Sequence, residues 1–133
     1  MELFNRLYQT KFINVDLDKL SDELKRECFL FNKSILNETF GDYEYSVMNP
    51  YELQEFVTLQ SKTGISYVLE DISENVLMGE FVIDPDYSEP LTKFLDKYEK
   101  MEKTVDIVLD KIFKHGIEKA TKLDYKILKS KSV

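Results

Sequence analysis

The chain has 133 residues, 43% of them hydrophobic and 32% charged, with a formal net charge of −7. That is enough apolar material for a folded core, and too little glycine (4) and proline (3) for a collagen-like, low-complexity or loop-dominated chain. A single cysteine and a single histidine exclude an internal disulfide framework, a cysteine-based zinc site and any centre that needs two imidazoles.

Taken in chain order, residues 2–9 place Leu3, Phe4, Leu7 and Tyr8 on one side of a short helix, and Lys11 to Val15 reads as a short strand. Asp16 precedes a helical pattern and is positioned to cap it. Leu17, Leu20, Leu24, Cys28, Phe31 and Ile35 then step by three or four, one stripe on a helix of about 20 residues that Gly41 would stop. Tyr43 to Met48 alternates as a strand does. Asn49-Pro50 is a helix start signal, followed by Leu53, Phe56, Val57 and Gln60 at helical spacing and by Gly64 as the stop. The alternative is a hairpin pairing Phe56–Leu59 with Ile65–Leu69. Ile65 to Leu69 and Gly79 to Ile83 are rich in β-formers. From Tyr87 onward Leu91, Phe94, Leu95, Tyr98, Met101, Val105, Val108, Leu109, Ile112 and Phe113 form a long helical stripe, on one helix or on two with Thr104 capping the second. Gly116 ends it. Thr121 and Asp124 have capping-box spacing ahead of a last helix with Leu123, Ile127 and Leu128.

This order predicts an α+β fold, a small and mainly antiparallel sheet packed by helices, with a helical N-terminal segment and a C-terminal helical hairpin. The expected organisation is one domain: a helical lead-in over 1–41, a strand–helix–strand–strand–helix core over 42–103, and a helical-hairpin appendage over 104–133.

The charge is unevenly spread. Residues 1–90 hold 18 acids and 7 bases, and residues 91–133 hold 7 acids and 11 bases. Between Ser34 and Pro90 there are 12 acids and one base, Lys62. Such a segment repels nucleic acid and anionic membrane and attracts a basic protein surface. The N-terminal residues show no basic segment followed by an apolar run, no apolar run approaches a membrane span, and a lone Cys28 suits a reducing compartment; a cytoplasmic protein is expected.

Two stretches resemble known families. The run from Val105 to Leu128, with Leu109-Asp-Lys-Ile112, Gly116-Ile117 and Ala120-Thr121, resembles a short helical-hairpin domain of unknown function found appended to bacterial rhomboid-like proteins. The resemblance implies a bacterial or phage origin and no assigned activity. Residues 49–98, with Gly64-Ile65-Ser-Tyr-Val-Leu69 and Phe81-Val-Ile-Asp84, are similar to ferredoxin-like putative prokaryotic signal-transducing proteins, and no functional residues carry over.

Candidate chemistry is sparse. His115 is the only imidazole, and its place at a helix end among Lys111, Lys114 and Lys119 suits a dipole-stabilised terminus better than a general base. Cys28 lies on an apolar stripe and reads as a small buried hydrophobe. Paired carboxylates such as Glu70-Asp71 suggest magnesium or hydrolysis in principle, but no phosphate-cradling, dinucleotide, nucleophile-elbow or zinc motif occurs. An enzyme is therefore not expected, nor a cofactor or metal. Tyrosines among carboxylates without lysine are an interface composition. The expected partner-binding residues are Tyr45, Tyr51, Glu52, Glu55, Tyr67, Glu70, Asp71, Glu74, Asp84, Asp86 and Tyr87.

The expectation is thus a non-enzymatic, acidic protein-binding module, an inhibitor or adaptor of the immunity or anti-defence type, whose partner has a basic surface. It involves no direct nucleic-acid or membrane contact. Two alternatives stand beside it: a small-ligand-binding regulatory module, and a self-associating structural protein that dimerises through the Leu91–Phe113 helix.

Overall fold

In the computed structural model, which describes residues 3–13 and 15–130, the chain divides into two compact units. One takes in the sequence up to Asp71 and the other the sequence from Ile72 onward. The division falls inside the stretch 42–103 expected to form one core.

The first unit runs β1 (Arg6–Ile13), α1 (Asp22–Ser34), β2 (Leu36–Phe40), β3 (Tyr43–Met48), α2 (Pro50–Thr63) and β4 (Ser66–Asp71). Its sheet has the order β2-β3-β1-β4, and every pair of neighbours is antiparallel. Each helix therefore links two strands that have a third between them, the split βαβ or ferredoxin-like arrangement. In β1 the side chains of Tyr8, Thr10 and Phe12 alternate with those of Leu7, Gln9 and Lys11. Tyr8 and Met48 pack with Phe31 of α1 and with Phe56 and Leu59 of α2. Phe12, Leu24, Cys28, Ile35, Leu53, Tyr67 and Leu69 surround this cluster. Aromatic rings dominate it: Phe31 lies 6.2 Å from Phe56, and Phe56 meets Tyr67 edge-on at 5.3 Å.

Local chemistry explains α2. Asn49 Oδ1 accepts from the Glu52 backbone N–H at 2.9 Å, Glu52 Oε1 accepts from the Asn49 N–H at 3.0 Å, and Pro50 opens the helix. Gly64 closes it in the left-handed conformation at φ 70°. The alternative hairpin around residues 61–64 does not form.

Three expectations for this unit give way. Residues 6–9 belong to a strand, not to a helix over 2–9; Leu7 and Tyr8 point to opposite faces and both are buried, so the period of two is masked. Asp16 caps only a short 3-10 turn, Leu17–Lys19; α1 starts later, with Ser21 Oγ accepting from the Leu24 N–H. Ile35 ends α1, and the next residues form β2, so Gly41 lies in the β2–β3 turn rather than at a helix end. The N-terminal lead-in over 1–41 is in this way β1, α1 and β2.

The second unit is helical: α3 (Ser73–Leu77), a 3-10 turn Pro85–Tyr87, α4 (Ser88–Glu102), α5 (Val105–His115), a second 3-10 turn Ile117–Lys119 and α6 (Lys122–Ser130). The long apolar stripe is split between two helices. Thr104 Oγ1 accepts from the Ile107 N–H at 3.4 Å and starts α5. Half of the stripe, Leu91, Phe94, Leu95, Tyr98 and Val108, is buried, whereas Met101, Leu109 and Phe113 are exposed, and α4 and α5 are separate helices rather than one continuous Leu91–Phe113 helix. The capping box of α6 forms as its spacing predicts: the Thr121 N–H donates to Asp124 Oδ2 at 2.9 Å, and the Asp124 N–H donates to Thr121 Oγ1 at 3.2 Å.

Residues 79–83, expected to be strand-like, form no strand: Gly79 is in a turn at φ 73°, and 80–83 join no strand of the sheet. The backbone N–H groups of Glu80 and Phe81 donate to the Asn75 carbonyl, which ties the segment to the end of α3, and Val82 is 88% exposed. The stretch Phe81-Val-Ile-Asp84, quoted for the resemblance over 49–98, is not a strand.

Candidate functional site: the groove between α1 and α2

The first unit carries an open groove of about 700 Å³ between its two helices. From α1 it takes Glu27, Leu30, Phe31 and Ser34, and from α2 Tyr51, Gln54, Glu55, Thr58, Leu59 and Lys62. Both sets have helical spacing, so each helix presents one stripe to the groove. Phe31 and Leu59 are buried and form the floor. Leu30 is 54% exposed and Tyr51 is 77% exposed, so both walls carry apolar side chains in water. Glu27 and Lys62 approach to 3.7 Å across one part of the groove. Glu55 is exposed, one turn after Tyr51, and no cation among the described residues is bonded to it.

The expected partner-binding residues scatter. Tyr51 and Glu55 line this groove. Glu52 is taken up by the capping box and is half-buried. Tyr45 is only 4% exposed and accepts a hydrogen bond from Gln9 Nε2 at 2.9 Å, so it cannot meet a partner. Tyr67 packs into the aromatic core. Glu70, opposite Gln9 in the register, lies on the sheet face away from α1 and α2, and Asp71 pairs with Arg6 at 2.9 Å. Glu74, Asp84, Asp86 and Tyr87 belong to the second unit; Asp84 Oδ1 accepts from the Asp86 N–H and starts the Pro85–Tyr87 turn. A single face made of all eleven residues therefore does not form within either unit.

Sequence reasoning missed Glu27, Leu30, Gln54 and Lys62. The available signal was the second stripe of each helix. Leu30 lies off the core stripe of α1, and an apolar side chain there has no place in the core.

Other candidates resolve locally. His115 Nε2 lies 3.0 Å from Glu80 Oε1, which Lys114 also approaches at 2.7 Å. Hydrogen bonds from Lys114 first, then from His115, lower the Glu80 carboxyl below its ordinary range. Burial raises the Cys28 thiol, and Cys28 packs against the aromatic core. Among the described residues no three His, Cys, Asp or Glu side chains converge as metal ligands would. No described helix is long and apolar enough to cross a membrane.

Compared with protein-family models, with curated proteins and with solved structures, the chain matches none.

Proposed function

We propose that this chain is a non-enzymatic protein-binding module, an inhibitor or adaptor acting in the cytoplasm, that holds a segment of another protein in the α1–α2 groove. The observation that carries this reading is the exposure of Leu30 and Tyr51 on facing walls above the buried floor of Phe31 and Leu59. Apolar side chains facing each other across an open channel are stabilised when a third apolar group removes them from water, at about 25 cal/mol per Å². The matching occupant is an amphipathic segment, most simply a helix laid between the two helices. Glu55 supports a Lys or Arg on that segment beside its apolar anchor, and the net charge of −7 supports faster encounter with a basic partner.

The test is capture of a partner by the full chain at low and high salt, compared with the Leu30→Glu variant. Capture that weakens with salt and is lost on Leu30→Glu supports the reading. Equal capture by both proteins refutes it.

A further inference from the structure

Helix α5 leaves one side without a cover. Ile107, Val108 and Lys111 turn inward, and Val105, Leu109 and Phe113, spaced four apart, form a ridge on the other side. Leu109 is 50% exposed and Phe113 is 94% exposed. Among the described α-helices, no other exposes two large apolar side chains one turn apart. The neighbouring ridge holds Asp106, Asp110 and Lys114, all exposed, with the acids first and the base last.

We propose that the α5 ridge of one copy docks in the α1–α2 groove of a second copy, so that the chain associates with itself head to tail. The inference rests on the reading of that groove as a channel for an amphipathic helix. Such a channel takes apolar anchors at helical spacing with a cation beside them, and Leu109, Phe113 and Lys114 supply that set. Charge fixes the direction. Glu55 and Lys62 both line the groove from α2, about 10 Å apart along the helix axis. Lys114 and Asp106 are about 12 Å apart along α5. Laid antiparallel to α2, α5 brings Lys114 to Glu55 and its acids to Lys62, with Leu109 and Phe113 over the floor between them. The opposite direction sets Asp106 and Asp110 against Glu55, a like-charge contact. Within one chain Lys62 lies 3.7 Å from Glu27 and Lys114 lies 2.7 Å from Glu80. Both lysines are largely exposed, so these bridges exchange at little cost. The groove and the ridge are different surfaces, so the contact is heterologous. A partner segment then competes with the chain's own helix, which makes self-association a brake on capture.

The experiment is sedimentation equilibrium of the full chain from micromolar to millimolar concentration, with Leu30→Glu and Phe113→Glu beside the parent. The parent mass should rise above 15.7 kDa with concentration. Each variant should raise the dissociation constant by about tenfold or more. Leu30 and Phe113 are mostly exposed, so both variants should keep the parent melting temperature. An equimolar mixture of the two variants should restore a species of two chains, because the groove of Phe113→Glu is intact and so is the α5 ridge of Leu30→Glu. A mixture that stays monomeric overturns the proposal. So does association lost on Phe113→Glu but kept by Leu30→Glu, the pattern of an α5–α5 seam, or lost on Leu30→Glu alone. A parent that is monomeric at every concentration also overturns it; if that parent's capture of a partner is still lost on Leu30→Glu, the reading of the groove stands without self-association.

Discussion

The Lys103 ammonium, just past the end of α4, lies 2.6 Å from Oδ1 of Asp124 in α6, and neither side chain reaches solvent. With Lys111 on the other carboxylate oxygen at 2.9 Å, Asp124 ties the end of α4 to α5 and α6. Two buried cations around one anion stay favourable only while the anion is present. Asp124→Ala should therefore destabilise the second unit by about 3–5 kcal/mol. The triple replacement Lys103→Met, Lys111→Met, Asp124→Leu should recover most of that loss, because a packed apolar trio needs no compensation. Urea denaturation followed by amide exchange in α4 to α6 distinguishes the two outcomes.

The same group sets an acid limit. Burial works to raise the Asp124 carboxyl, but Lys103, Lys111 and the Thr121 N–H outweigh it and hold the carboxyl down, from 3.8 to about 2. A depressed carboxyl contributes stability that is complete above its unfolded value and is lost as the pH falls from about 4 through about 2. The contribution is on the order of 2 kcal/mol. The stability difference between the unmodified protein and Asp124→Asn should shrink by that amount over this window, as measured by urea midpoints at successive pH values.

Glu44 points the other way. It lies on β3 beside Thr10 and Ser46, and burial raises its carboxyl, with only the Ser46 hydroxyl at 3.4 Å donating to it. A raised carboxyl favours folding most below its unfolded value, and that contribution is lost as the pH rises through its folded value. Glu44→Gln should thus raise the melting temperature at neutral pH, and the gain should vanish in acid. Calorimetric melts at pH 7 and pH 4 decide it.

How much of this was legible depended on whether the decisive interaction is local. The Asn49-Pro50 start of α2, its Gly64 stop and the Thr121–Asp124 box are made by neighbours in sequence, and the residues announce them. The strand over 6–13 was hidden because burial of both Leu7 and Tyr8 erases the alternation and leaves a helix-like spacing. Phe81-Val-Ile83 has strand composition, yet it joins no strand of the sheet, and the Glu80 and Phe81 N–H groups donate to the Asn75 carbonyl. Of the candidate residues, Tyr51 and Glu55 remain on the groove, whereas Tyr45 is buried and Tyr67 packs half-buried against the aromatic cluster. Lys111 also had a signal. It falls on the buried side of α5 with Ile107 and Val108, and a lysine at a core position needs an anion. That the anion is Asp124 depends on how α5 and α6 fold back on each other, which spacing alone does not give.

The local caps can be checked by substitution. Asn49→Ala removes the acceptor for the Glu52 N–H and should cost about 1 kcal/mol, read from the denaturant midpoint with an unchanged slope. The loss should be largely absent in Asn49→Ser, whose hydroxyl can still cap.

The groove gives the central test. Leu30 and Tyr51 are mostly exposed, so Leu30→Glu and Tyr51→Ser should leave the melting temperature within a few degrees of the parent. Glu70→Lys, on the opposite face of the sheet, serves as the charge control. The decisive measurement is partner capture by these four proteins from lysate, at low and at high salt. The account predicts a salt-sensitive partner captured by the parent and by Glu70→Lys, and lost from Leu30→Glu and Tyr51→Ser. Capture retained by both groove variants, or lost only on Glu70→Lys, would contradict it.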